Sequence, residues 1–323
     1  MKLIVSCFIF LGCLMMSCTG LKKSQVQAVQ SFAMATKGIS RVPSDIYFRI
    51  YQLKSESQTL QLNTLLSTND SVKESIQLLK NDYAEKIAFF NIAEAYSTSY
   101  QIVEEYASLV LCLLDESYLH EFEKSKTTWQ SSFTGLVRKY NSVAVRKIPP
   151  SVGSLVASIV QEIGSMRIRQ LQKKYLKKAL YAAQSPFESI CDDFILLDSL
   201  KLKSELSNLP DYLDNNYANF LENVRAYERE GNNPYYYYKE YTPIYAGWLS
   251  QINELSILTA GTVKAFRSLR NAYSQMLAYV DAYKPSDIPT ALTIMENDYN
   301  DLVMIYSRFQ YQREKLSAAG LIK

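Results

Sequence analysis

One histidine, His120, serves 323 residues, and that scarcity removes a good deal of chemistry. No second imidazole is present to share a zinc ion, and H-E-x-x-H does not occur. G-x-S-x-G and G-x-x-x-x-G-K-[ST] are missing as well, so the chain has neither a nucleophile elbow nor a phosphate-cradling loop of those types. His120 falls between Leu119 and Glu121 and is expected on a polar helix face. The acidic doublets Glu104-Glu105 and Asp192-Asp193 have helix-surface spacing, which pairing with cations explains more simply than acid–base catalysis. The sequence therefore reads as non-enzymatic, with no metal and no cofactor, and it names no small-molecule ligand.

Glycine and proline are also few, 10 and 9, while apolar residues make up 48% of the chain. Disordered and collagen-like classes are excluded by that balance. Strand-like alternation is scarce and no repeat of fixed period appears, which argues against a solenoid. Long helices remain. The expected fold is all-α: an elongated antiparallel helical bundle with long amphipathic helices and coiled-coil-like spacing.

The first residues have a different character. Met1 to Ser17 holds one cation, Lys2, then an apolar run from Leu3 to Met16 that is too short and wrongly flanked for a membrane-spanning helix. At Leu14-Met15-Met16-Ser17-Cys18 the chain resembles the signal peptide of bacterial lipoproteins. Cys18 fits better than Cys13, because it leaves the longer apolar run and polar sequence follows at once. The resemblance covers about 20 residues and implies that Cys18 is acylated, palmitate among its chains, and becomes the new N-terminus. It further implies a bacterial cell envelope and membrane attachment through the N-terminal lipid. Thr19-Gly20 lacks an inner-membrane retention aspartate, so the outer membrane, facing the periplasm, is the expected location. Residues 1–17 are then the signal peptide, 18–43 the lipid anchor and short tether, and 44–323 a single helical-bundle domain. After processing only Cys112 and Cys191 remain, and two readings stay open: a disulfide between them, or Cys112 as a small buried hydrophobe within Leu109 to Leu114.

Helix signals follow in order. A short helix is expected from Ser24 to Thr36, broken between Gly38 and Pro43, with a second pattern from Ser44. Ser71-Val72-Lys73-Glu74 reads as a capping box. It opens a near-heptad run of Val72, Ile76, Leu79, Tyr83, Ile87 and Phe90 that continues to about Glu123. Trp129 to Tyr140 suggests another helix. Ser185-Pro186-Phe187-Glu188 gives the best helix start, Pro210 another, and Thr242-Pro243 a third for a helix reaching Tyr283. Gly231 to Pro234 is the clearest loop, and the last helix runs from Ile288 to Leu316.

Two stretches suggest binding. The formal net charge is only +3, yet ten Lys or Arg and one acid, Glu162, lie between Arg138 and Lys178. Pro149 to Leu180 joins an apolar stripe, Val152 to Met166, to Arg167, Arg169, Lys173, Lys174, Lys177 and Lys178. It is either a core helix with a solvated basic extension or a membrane or polyanion contact, which would make the protein membrane-perturbing or pore-forming. Nucleic acid is not an expected partner, since the leader removes the chain from the cytoplasm. The second stretch is aromatic: Tyr235, Tyr236, Tyr237, Tyr238, Tyr241, Tyr245 and Trp248. These residues either form a platform for a glycan or protein or fasten the loop to the bundle end. The leading expectation is a lipid-anchored helical protein that binds a protein or other envelope partner.

Overall fold

A computed structural model describes residues 21–68, 72–143, 147–231, 233, 235–282 and 287–318, and among these every regular element is helical. We number them α1 (Lys23–Thr68), α2 (Val72–Cys112), α3 (Glu116–Val143), α4 (Pro150–Glu162) and α5 (Ile168–Leu171). After a π-helical segment, Gln172–Leu176, come α6 (Lys177–Asp193) and a second π segment, Phe194–Asp198. The chain continues as α7 (Ser199–Arg229), α8 (Tyr235–Asp281) and α9 (Thr290–Ala318). The all-α bundle is as expected. Residues 1–20, which include the expected signal segment and Cys18, lie outside the described residues, as does Ser71 of the expected capping box.

Helix α1 is the centre. Val29, Phe32, Ala33, Ile39, Val42, Ile46, Tyr47, Ile50 and Leu53 are all buried, too many directions for a single-faced helix. It packs against α2, α7, α8 and α9. The partners run antiparallel to it in α2, where Arg41 meets Glu104 at 2.5 Å and Lys86 donates to Thr59. They also do so in α8, where Gln25 meets Tyr279 and Arg49 meets Gln251. Helix α9 runs parallel to α1 and antiparallel to α8, with Lys264 on Asp298 at 2.8 Å and Arg308 on Glu254 at 2.9 Å.

Several expected boundaries are corrected. The break between Gly38 and Pro43 does not occur: α1 passes through both, and residues 28–43 belong to the packed core rather than to a tether. Helices likewise continue through Pro186, Pro210 and Pro243. A proline inside a helix costs about 3 kcal/mol, whereas each buried Leu, Ile or Phe contributes about 1.5–3 kcal/mol. Phe187 and Ile190 beside Pro186, and Leu209 and Leu213 around Pro210, are buried, so packing outweighs the local signal. Conversely, the run expected to reach Glu123 stops at Cys112. There Asp115 caps α3 by accepting hydrogen bonds from the Ser117 amide and hydroxyl, both at 2.9 Å. Gly164, at φ +87, ends the apolar half of 149–180 where one continuous helix was expected.

Candidate functional site

The two halves of residues 149–180 are divided at Gly164 and both contribute to the core. Val152, Val156, Ile159, Val160 and Ile163 are buried, and so are Leu171, Tyr175, Leu176 and Leu180 of the basic half. The apolar stripe is core. No helix among the described residues is long and apolar enough to cross a membrane. The cations stand outside: Arg167, Arg169, Lys173, Lys174, Lys177 and Lys178 are exposed. Lys174 pairs with Glu162 at 2.5 Å and Lys177 with Asp281 at 2.9 Å. Both carboxyls are held below their ordinary range, Glu162 chiefly by the Lys174 hydrogen bond and Asp281 by those from Tyr181 and Lys177. Arg167, Arg169, Lys173 and Lys178 have no ion-pair partner among the described residues.

The aromatic stretch is a seam between helices. Tyr245 stacks on Tyr217 of α7 at 4.3 Å between ring centroids, Tyr241 packs tilted against Phe220 at 5.1 Å, and Tyr237 meets Phe220 and Tyr227. Desolvation raises the Tyr241 hydroxyl and takes that of Tyr245 to about 12, where the hydrogen bond to Asp214 adds to the shift. Tyr237, Tyr238 and Tyr241 are half-buried. Trp248 leaves the patch altogether. It is 1% exposed and donates to Glu56 at 3.0 Å inside the bundle, so an external partner cannot touch it. The side chains of Tyr235 and Tyr236 lie outside the described residues. Helix α8 therefore starts at Tyr235, not at Thr242, because these rings have α7 to pack against.

Cys112 and Cys191 are both buried thiols with no disulfide between them, which corrects the disulfide alternative, and the Cys112 thiol donates to the Tyr118 carbonyl at 3.4 Å. Burial pushes the Cys191 thiol far up. His120 is exposed and borders an open groove of about 520 Å³ with Glu116, Arg167 and Arg169. Another open groove, about 620 Å³, lies between α8 and α9 around Arg270 and Asn271. The small apolar void between Tyr106, Phe133 and Phe187, about 30 Å³, is too tight for an organic ligand. Among the described residues no group of three His, Cys, Asp or Glu is placed to hold a metal ion. The doublets have cationic or hydrogen-bonding neighbours: Glu104 with Arg41, Glu105 with the Trp129 indole, and Asp192 with Arg270.

One surface went unremarked in the sequence as a site. Along α2, Ile76, Leu79, Tyr83, Ile87 and Phe90 are 41–68% exposed, while Asp82 is buried and Phe89 packs against the core. Steps of three and four residues along this stripe average 3.5, the period of a coiled-coil seam rather than of a straight helix. Phe48 of α1, itself 37% exposed, extends the stripe by meeting Phe90 at 6.4 Å. Lys73 and Lys80 flank it in solvent. The near-heptad spacing was visible in the sequence; that its apolar side faces outward was not.

No family model, curated protein or solved structure matches the chain.

Proposed function

We propose that this chain is a non-enzymatic, lipid-anchored helical protein of the bacterial cell envelope that binds a protein partner through the outer stripe of α2. In this reading acylated Cys18 holds the bundle at the outer membrane, facing the periplasm. The observation that carries partner binding is the exposed seam of Ile76, Leu79, Tyr83, Ile87 and Phe90. Five large apolar side chains in one row are a cost in water that a docked amphipathic helix would remove. The flanking Lys73 and Lys80 favour a partner helix with acidic edges. A pore-forming role for 149–180 would require Ile159 and Ile163 to leave the core, and no observation favours it.

A photo-crosslinking residue in place of Tyr83 in the native host tests the binding claim. One discrete adduct is expected, and it should vanish in Ile76→Glu/Leu79→Glu while the melting temperature stays within a few degrees. Absence of any adduct, or an adduct indifferent to those changes, overturns the reading. The anchor has its own test. Labelled acyl chains should enter the full-length protein and be lost in Cys18→Ala.

A further inference from the structure

The start of α1 is fastened to the end of α8. Gln25 is 4% exposed, accepts the Lys22 amide at 2.9 Å, and donates to the carbonyls of Tyr279 at 2.8 Å, Val280 at 3.2 Å and Ala282 at 3.1 Å. Asp281 sits between those carbonyls. Its carboxylate accepts Lys177 at 2.9 Å and the Tyr181 hydroxyl, which brings the first turn of α6 to the same place. The basic segment before α6 is held there too, since Gln172 donates to the carbonyl of Leu114 at 3.2 Å, where α2 has just ended. One end of the bundle thus gathers the start of α1, the end of α2, the end of α8 and residues 167–178.

That end is strongly cationic. Lys22 and Lys23 are exposed, as are the six cations of 167–178, eight in all. The carboxylates at this end are Glu162 and Asp281, each in an ion pair, with Glu116 across the groove, Asp115 at the start of α3 and Glu123 beside Gly164, fewer than the cations. Arg167 and Arg169 stand on the rim of that groove, with Met166 and Ile168 beside them.

We propose that this end is a binding surface for anionic phospholipid headgroups, so that the basic segment and the N-terminal anchor act as one membrane contact. The proposal rests on the anchor reading for its orientation: Cys18 is four residues from Lys22, a reach of at most about 14 Å. A lipid inserted at Cys18 would therefore hold the headgroups next to these cations. The N-terminal lipid supplies hydrophobic anchoring and the basic patch an electrostatic contact, and the patch alone retains measurable affinity for an anionic surface. The apolar half of 149–180 takes no part.

The test uses residues 21–323, which carry no lipid and contain every described helix and the whole core. Sedimentation with vesicles of phosphatidylcholine and 30% phosphatidylglycerol at low salt should pull the protein down, and pure phosphatidylcholine should not. Each cation near the surface contributes about fivefold in partitioning, so Arg167→Gln/Arg169→Gln/Lys173→Gln/Lys178→Gln should lose a hundredfold or more at unchanged melting temperature. Failure to bind the anionic vesicles overturns the proposal. So does equal binding by the fourfold variant, or tighter binding to inorganic polyphosphate than to vesicles at equal phosphate. None of these results touches the anchor, which acyl labelling of the full-length protein reports separately.

Discussion

Gly38 shows how closely individual residues are constrained. A Cβ there would lie 2.5 Å from Cε2 and 2.7 Å from the hydroxyl of Tyr299, so α1 and α9 approach only because that position lacks a side chain. Gly38→Ala should cost about 1–3 kcal/mol in denaturant unfolding despite alanine's better helix propensity. A gain in stability would mean that Tyr299 swings clear. Arg49 is a second such residue. Its side chain is 1% exposed, it pairs with Glu56 at 3.0 Å and with Gln251, and burial lowers its pKa. Glu56→Ala would strand that guanidinium and should cost about 3–5 kcal/mol, whereas Arg49→Met/Glu56→Gln should cost much less. Equal losses in the two proteins would contradict this view of the pair. Glu105 supplies a pH signature. Burial, outweighing the Trp129 hydrogen bond, raises its pKa above the ordinary carboxylate value. The folded state therefore holds this proton more tightly than the unfolded chain. The associated stability is present at acid pH and is lost as pH rises through the raised value. Urea midpoints measured across pH 4 to 7 should fall less steeply for Glu105→Gln than for the parent.

At the scale of whole elements, proline is the instructive residue. Helical class and most of the buried positions were legible in α8 and α9, where Leu255, Phe266, Tyr273, Leu292 and Leu302 are core as their spacing indicates. Boundaries were not, because Pro43, Pro186, Pro210 and Pro243 each lie inside a helix whose neighbouring side chains are buried or stacked. Local rules weigh one missing amide, and the fold weighs a whole face. Pro210→Ala tests the balance. It would restore a backbone donor in α7 and should raise stability by about 1–2 kcal/mol, the helix gain less the proline's restriction of the unfolded chain. A lower melting temperature would show that the helix has adapted to the ring. The candidate surfaces follow the same division. Spacing alone does not say which side of α2 meets α1: Phe89 packs against the core while its apolar neighbours Ile87 and Phe90 face out. The basic run of 167–178 was legible as charge, but its meeting with Lys22 and Lys23 depends on Gln25 and Asp281, residues from opposite ends of the chain.

Across the molecule as a whole, the cationic end and the α2 stripe are well apart. Residues of α1 from Gln25 to Gln58 connect them, a rise of about 50 Å at 1.5 Å per residue. Gln25 binds the α8 terminus at one end, and Gln58 meets Glu85 beside the stripe at the other. If the first end rests on lipid, the stripe stands clear of the headgroups, within reach of a partner. The same helix also sets how the protein would behave under load. A partner tugging on the stripe while the N-terminus is held would stretch α1 lengthwise, sliding it against α2, α7, α8 and α9 together. Loading of that kind is shared along every interface at once instead of peeling them one after another. The central helix would then serve as a tie rod between membrane and partner.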